Sequence, residues 1–169
     1  MSATQRGTIR HPADFYATPW TAFEPLLPHL EPLRGLEFWE PACGDRRLIK
    51  WLADKGHFAA GDDLNNCYNF LEDDLRTKSD FVILTNPPFS LALEFCDHAI
   101  KHAEHVFMLL RLNFLAAKKR RNWWIMHEPS ALFVLSERPS FTDNGKTDAT
   151  DYAWFYWGRP AQYRGIFHL

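Results

Sequence analysis

The stretch Phe81-Val-Ile-Leu-Thr-Asn-Pro-Pro-Phe89 decides the fold. Its first four residues are apolar and bounded by polar ones, which is typical of a strand buried on both faces of a sheet. Ser90 is placed to cap a helix over residues 91–103. An amide, two prolines and an aromatic ring therefore follow a central strand at its carboxyl end, where open α/β sheets bind ligands.

The residues after this strand suit one particular chemistry. Asn86 offers a side-chain carbonyl oxygen, and Pro87 offers a backbone carbonyl without an N–H. Two such acceptors suit a planar –NH2 group, because accepting both of its hydrogens favours a pyramidal nitrogen with a nucleophilic lone pair. Phe89, which follows Pro88, can provide a face for the ring that carries this group. An ordinary loop is the alternative, since Asn-Pro-Pro is common in turns and Phe89 could belong to the core.

Several segments in order along the chain resemble the small bacteriophage and prophage S-adenosylmethionine-dependent DNA adenine-N6 methyltransferases. Residues 86–89 resemble their catalytic motif, and the match runs from about Asp14 to Trp157. The other segments that carry it are Phe15–Pro19, Glu40–Asp45, Leu109–Leu115, Ser136–Phe141 and Gly145–Trp154. The resemblance implies methylation of the exocyclic N6 amino group of adenine in DNA. It also implies the catalytic residues Asn86, Pro87, Pro88 and Phe89.

The chain before the motif predicts a βαβ unit. Residues 36–40 form a strand, and residues 41–45 form the tight turn that follows it. Residues 47–55 have the pattern of an amphipathic helix, which Gly56 ends. Residues 58–60 form the next strand. The first crossover of this unit is the place where the fold binds a nucleotide-like cofactor.

Acidic residues follow both strands of this unit. A carboxylate just past the second strand, roughly twenty residues after the glycine turn, can accept both ribose hydroxyls of an adenosine cofactor. Asp62 and Asp63 are both candidates, and the resemblance favours Asp63. It also implies that Glu40 lies near the cationic α-amino group of the methionine moiety. The alternative is that these acids only cap the neighbouring turns.

The resemblance implies a larger set of S-adenosylmethionine contacts. These are Tyr16, Thr18 and Pro19 near the methionine carboxylate, the backbone of Ala42, Cys43 and Gly44, and Asn69 and Phe70 at the adenine. Two departures from the family pattern stand out. Arg46 replaces the second glycine of the loop, where close approach is expected. Asn69 replaces an aspartate, and its amide oxygen can still accept from the adenine amino group.

Two segments after the catalytic motif are candidates for binding DNA. One is the basic cluster formed by Lys118, Lys119, Arg120 and Arg121, with Trp123 next to it. Cations beside stacking surfaces suit nucleic acid, although a charge run is often just a solvated face. The other is the polar stretch 137–151, with Lys146 and Asp148. Because the net charge is −2, any DNA affinity must come from a local patch.

The chain length predicts one domain, over residues 13–169. Residues 1–12 lack an apolar pattern, which predicts a loose arm before this domain. The predicted fold is a three-layer, Rossmann-like α/β domain with a mostly parallel sheet, and the resemblance implies that this sheet has seven strands. No segment is long enough to form a separate target-recognition domain. The chain has 169 residues, and its three cysteines are odd in number and far apart, which favours a reducing cytoplasm and disfavours a metal site. No apolar run approaches the roughly 20 residues that span a bilayer. The oligomeric state stays open.

Two other functions fit the same residues. The Asn-Pro-Pro sequence could serve any planar amino group, so the substrate could be an RNA adenine or a protein glutamine amide. A catalytically inactive relic that only binds the cofactor is the second alternative, motivated by Arg46 and the acidic net charge. The sequence predicts neither the recognised bases nor a preference for single or double strands.

Overall fold

The computed structural model describes residues 16–72, 81–141 and 147–169. Within these ranges the α-helices are α1 (Trp20–Phe23), α2 (Leu27–Leu30), α3 (Arg47–Asp54), α4 (Ala92–His102) and α5 (Arg121–Met126). The strands are β1 (Glu37–Glu40), β2 (Phe58–Gly61), β3 (Phe81–Thr85), β4 (His105–Arg111), β5 (Ala131–Val134), β6 (Tyr152–Gly158) and β7 (Gly165–His168).

The seven strands form one sheet in the order β2-β1-β3-β4-β6-β5-β7. Neighbouring strands are parallel except at β6, which runs antiparallel to both β4 and β5. The predicted mostly parallel, seven-stranded sheet is therefore confirmed. The strand order reverses at β1, with β2 on one side and β3 on the other. A crevice at their carboxyl ends follows from that reversal.

The central strands are buried on both faces. Val82 and Leu84 of β3 pack in the same cluster as α1, α2 and α3, whereas Phe81 and Ile83 pack with α4 on the other face. Residues of β6 from Tyr152 to Trp157 alternate between the same two clusters. Burial on both sides explains why these strands read as almost continuous apolar runs. The result is the predicted three-layer domain.

Most predicted elements are present, and the predicted cap of the helix after β3 is corrected. Ser90 is not the cap of α4, because a 3-10 turn over Phe89–Leu91 comes first and the α-helix begins at Ala92. Helix α1 begins at Trp20, with Pro19 in the capping position. Strand β7 was implied only by the strand count of the resemblance, since its mostly exposed residues carry little apolar pattern.

Gly61 lets β2 pack tightly against the turn after β1. A Cβ at this position would lie 2.7 Å from the Glu40 carbonyl oxygen and 3.0 Å from Cys43 Cβ, and it would clash with Ile49. Glu40 is the last residue of β1, and Cys43 lies in the turn that follows it. The glycine therefore sets how closely the end of β2 packs against the end of β1 and the turn that follows it.

We predict that Gly61→Ala lowers stability by about 2 kcal/mol, because the added methyl group overpacks a backbone contact that cannot relax easily. This corresponds to a decrease of roughly 4–8 °C in Tm for a domain of this size, measurable by thermal denaturation. Gly35→Ala is the matched control, because nothing lies within 4 Å of a Cβ there. Equal Tm values for the two variants would contradict the prediction.

Candidate functional site

A cleft lies at the carboxyl ends of β1, β2 and β3, where the strand order reverses. The predicted residues that line it are Tyr16, Thr18, Glu40, Ala42, Cys43, Asp63, Asn69, Phe70, Asn86 and Pro88. The predicted residues that are not among its described lining are Pro19, Gly44, Asp62, Pro87 and Phe89. The structure thus brings most of the predicted cofactor residues together with the catalytic asparagine.

Glu40 ends β1 inside this cleft with an unsatisfied carboxylate. The residue is 4% exposed, and its Oε2 atom has no hydrogen-bond partner among the described residues. Burial raises the pKa of Glu40 well above its usual value, and repulsion from Asp45 and Asp63 adds to the shift while Arg46 opposes it. A buried carboxylate of this kind is stabilised by a cationic donor, so Glu40 fits the α-amino group of a methionine moiety.

The turn after β1 uses two left-handed residues. Gly44 has a φ of 48° and Arg46 a φ of 63°. Arg46 thus keeps a conformation that glycine prefers, although it carries a Cβ, at a cost of about 1–2 kcal/mol. Its guanidinium donates to the Gly61 carbonyl oxygen (3.3 Å), and its side chain is exposed and does not line the cleft. The departure from glycine at this position therefore leaves the cleft open.

The two neighbouring aspartates have different surroundings. Asp63 Oδ2 accepts from the Gly44 N–H (3.0 Å), and its Oδ1 accepts from the N–H and the side-chain amide of Asn65 (3.0 and 2.7 Å). Asp62 contributes its backbone carbonyl, which accepts from the Cys43 N–H (2.9 Å). Because a carboxylate has about four acceptor positions, Asp63 both holds the turn and keeps capacity for a ligand hydroxyl.

The predicted adenine-binding residues form one wall of the cleft. Asn69 Oδ1 accepts from the Leu71 N–H (3.2 Å), which leaves this oxygen one further lone pair for a ligand. Phe70 is buried, with edge contacts to Trp39 and His98 and a tilted contact to Phe95. These contacts fix the position of Phe70 in the cleft wall. An adenine ring bound in the cleft would lie against this wall.

The Asn86 side chain is oriented by the chain before α1. Its Nδ2 donates to the Tyr16 carbonyl oxygen (2.8 Å), and only an N–H can make that bond. The Oδ1 atom is consequently turned away, and it is buried without a partner among the described residues. Asn86 therefore presents one unpaired acceptor, which is what an incoming amino group requires.

Phe89 belongs to an aromatic cluster that also contains Tyr16, Phe141 and Tyr152. The Tyr16 and Phe89 rings are stacked, with centroids 5.4 Å apart and planes inclined by 25°. Phe141 and Tyr152 contact Phe89 with centroid distances of 6.0 and 5.9 Å. Arg111 Cζ lies 4.6 Å from the centre of the Phe89 ring. The predicted stacking surface is therefore covered by other side chains of the protein.

Arg111 and Asp148 link this cluster to the stretch 137–151. Arg111 donates to Tyr152 Oη (2.9 Å) and to Asp148 Oδ2 (3.2 Å), and the Tyr152 hydroxyl also donates to Asp148 Oδ2 (2.6 Å). Burial raises the pKa of Tyr152, and its bond to Asp148 raises it further, so the hydroxyl remains a donor. Lys146, the other predicted residue of this stretch, lies outside the described residues.

The predicted basic cluster lies in the connection between β4 and β5, after the turn Leu112–Leu115. Lys118, Lys119 and Arg121 are exposed. Arg120 instead donates to the Phe114 carbonyl oxygen (2.9 Å), with its Cζ 4.4 Å from the Phe114 ring centre. Trp123 donates to Asp97 Oδ1 (3.1 Å) and packs with the core. Three of the five predicted residues are thus accessible to a nucleic acid, while Arg120 and Trp123 make internal contacts.

Arg111, Phe141 and Tyr152 were not predicted as site residues. Arg111 carried a usable signal, because it is the last residue of an apolar strand that runs parallel to β3, so it reaches the same edge as Asn86. Tyr152 carried none, since it begins a strand in which every residue up to Trp157 is buried. Only tertiary packing distinguishes it from its neighbours.

No protein-family model and no curated protein sequence matches the chain. A solved structure from Listeria monocytogenes, provisionally assigned as a class I S-adenosylmethionine-dependent methyltransferase, is similar with a TM-score of 0.60. The two chains are 13% identical, and the match covers 94% of this chain and 67% of that one. This likeness shows the Rossmann-like class I methyltransferase fold and confirms the predicted fold class.

Two further classes of feature are absent from the described ranges. No helix there has the length and apolar character needed to cross a bilayer. No group of three His, Cys, Asp or Glu side chains there is arranged to hold a metal ion. Neither absence bears on residues outside 16–72, 81–141 and 147–169.

We predict that Glu40→Gln stabilises the ligand-free protein increasingly as the pH rises. Wild-type stability is fully present below the unfolded-state pKa and is lost as the pH rises from there through the raised folded-state pKa, because the carboxyl ionises more easily in the unfolded chain than in the buried site. Glutamine has the same shape and does not ionise. The Tm difference between variant and wild type should therefore grow as the pH rises above the ordinary glutamate pKa of 4.5, as measured by differential scanning fluorimetry.

Glu37→Gln provides the matched control on the same strand. Glu37 is exposed, so its replacement removes a solvated charge instead of a buried one. We expect no pH-dependent gain in Tm for this variant. A constant Tm difference across the pH range for Glu40→Gln would show that the buried carboxyl does not titrate as its surroundings indicate.

Proposed function

We propose that this chain is a methyltransferase that uses S-adenosylmethionine to methylate the exocyclic N6 amino group of adenine in DNA. The observation that carries the proposal is a pair of buried oxygens at one cleft, Glu40 Oε2 and Asn86 Oδ1, which have no hydrogen-bond partner within the described ranges. One oxygen suits a cationic amino group of a cofactor and the other suits a planar amino group of a substrate. The fold shared with the Listeria monocytogenes protein supports the same cofactor.

S-adenosylmethionine, when bound, supplies a methyl group attached to a sulfonium. The residues that would hold it are Glu40 at the methionine amino group, Asp63 at the ribose and Phe70 at the adenine. Thr18, which is buried and lines the cleft, would face the methionine carboxylate. These assignments combine the chemistry of the side chains with the resemblance described above.

Asn86 and Pro87 would act on the substrate by hydrogen bonding alone. Asn86 Oδ1 and the Pro87 carbonyl oxygen each accept one hydrogen of the adenine amino group, which turns its lone pair out of the ring. The amide of Asn86 needs no rearrangement for this, because Tyr16 already orients it. Such preorganised polar groups contribute to rate because they cost no reorganisation during the reaction. No strong base is required, since the methylated nitrogen loses its proton readily to water.

DNA is supported as the substrate by the resemblance and by the exposed cations Lys118, Lys119 and Arg121. In a duplex the target adenine must be flipped out, which costs a few kcal/mol, whereas a single strand largely avoids this cost. The two short elements available for recognition can contact few base edges. We therefore expect a short or relaxed target sequence, with affinity dominated by phosphate contacts.

We predict that Asn86→Ala leaves S-adenosylmethionine binding nearly unchanged and reduces methyl transfer by a factor of about 10²–10³. This is the usual effect of removing one oriented polar contact from a catalytic site. Transfer is measured with labelled cofactor on genomic DNA, and the product is identified as N6-methyladenine by mass spectrometry. Sensitivity of the labelled product to DNase, RNase or protease separates DNA from RNA and protein substrates.

Asn113→Ala is the matched control, because Asn113 is an exposed asparagine in the turn after β4. It should transfer methyl groups at the wild-type rate. Asp63→Ala should show the reverse of Asn86→Ala, with weaker cofactor binding as its main defect. Near-normal turnover by Asn86→Ala would rule out its catalytic assignment.

We predict that Lys118→Ala/Lys119→Ala weakens DNA binding for all sequences and flattens its salt dependence. Each phosphate contact contributes about 0.9 to the slope of log K against log salt for duplex DNA. The slope should therefore decrease by about 2 in fluorescence anisotropy titrations at several salt concentrations. Cofactor affinity should not change, because neither lysine lines the described cleft.

The control for this variant is Lys50→Ala/Arg164→Ala, which removes two exposed cations from other parts of the surface. Its salt slope should equal that of the wild type. An unchanged slope in the Lys118→Ala/Lys119→Ala protein would remove these residues from the DNA interface.

A further inference from the structure

We propose that the Arg111 guanidinium is a placeholder on the Phe89 ring, and that it leaves when the target adenine stacks there. This inference rests on the proposed function, because it takes the target to be an adenine ring. It adds a residue and an exchange step that neither the sequence nor the fold assigns. It follows from which side chains cover Phe89 and which of them can move.

Two groups lie against the Phe89 ring and compete with any incoming base. The Tyr16 ring is stacked on it at 5.4 Å, and Arg111 Cζ is 4.6 Å from its centre. Phe141 and Tyr152 pack around the same ring. A base can therefore stack on Phe89 only if Tyr16 or Arg111 moves away.

Tyr16 is the group that stays. Its backbone carbonyl is the acceptor that orients the Asn86 amide, at 2.8 Å, so displacing this segment would release the catalytic side chain. Its ring also makes an edge contact with Phe141, at 6.2 Å. Movement of the Tyr16 backbone would thus release Asn86, and movement of its ring would break the contact with Phe141.

Arg111 is the group that can leave. Its side chain is 40% exposed. Because it carries no apolar ring, it can move into solvent without exposing one. Within the described residues it uses two of the five guanidinium N–H donors, on Tyr152 Oη and Asp148 Oδ2. A partly exposed cation–π contact contributes less than stacking of a nucleobase on an aromatic ring. The exchange of guanidinium for adenine therefore favours the base.

The test measures ring binding directly, without turnover. The probe is 2-aminopurine deoxyriboside, whose fluorescence is quenched on stacking, with saturating S-adenosylhomocysteine present to fill the cofactor cleft. Removal of the placeholder by Arg111→Met should tighten probe binding about two- to fivefold, the equivalent of a lost cation–π contact. Asp148→Asn, which weakens the hold on Arg111, should shift the affinity in the same direction by a smaller factor.

Arg138→Met is the matched control, since Arg138 pairs with Asp151 in the same stretch of chain (2.7 Å). It should bind the probe as the wild type does. Unchanged or weaker probe binding by Arg111→Met would overturn the proposal, and weaker binding would mean that the guanidinium holds the ligand.

If Arg111→Met does not fold, unchanged or weaker binding by Asp148→Asn overturns it instead. If Arg111→Met binds the probe more tightly but the wild type does not transfer methyl groups to DNA, the proposed function is wrong. The proposal that a base replaces Arg111 on the Phe89 ring would still hold.

Discussion

Burial of the central sheet on both faces is the constraint on which the rest of the structure depends. Strands β3, β4 and β6 lie between two helical layers, and side chains such as Leu84, Phe107 and Trp154 have essentially no exposed surface. A sheet buried in this way has little place for polar side chains within its strands. Polar groups with a function must therefore follow the strands, and in a parallel sheet the ends of neighbouring strands meet at one edge.

The cleft at that edge holds two polar atoms that the protein itself does not satisfy. Glu40 Oε2 and Asn86 Oδ1 are both buried without partners among the described residues. An unsatisfied buried acceptor costs about 1–3 kcal/mol, and more when it is charged. Packing does not require a polar atom at either position, because an apolar side chain of similar size would fill the same space without this cost. Local conflicts of this kind are expected at functional sites.

The space on one side of Asn86 is open to a ligand, and the space on the other side is occupied by side chains. The side toward Glu40 is an open cleft, whereas the side toward Phe89 is filled by Tyr16, Arg111, Phe141 and Tyr152. A cofactor and a substrate would thus meet different conditions at the same edge of the sheet. The cofactor would enter a preformed cleft, and the substrate would have to displace the Arg111 guanidinium from the Phe89 ring.

The sequence by itself determined the strand before Asn86, the βαβ unit around Gly44 and the positions of Glu40 and Asp63. These features depend on local patterns of apolar residues, which repeat every two residues in strands and every 3.6 residues in helices, and on the turns that glycine allows. Only the tertiary structure decided which side chains surround the Phe89 ring. The contacts that Arg111 makes with Asp148 and Tyr152 join residues 37 and 41 positions apart. Likewise, the role of Trp123 depends on Asp97, which lies on another helix. Such pairings leave no periodic signal, since they are set by which strands become neighbours and not by the residues next to them in sequence.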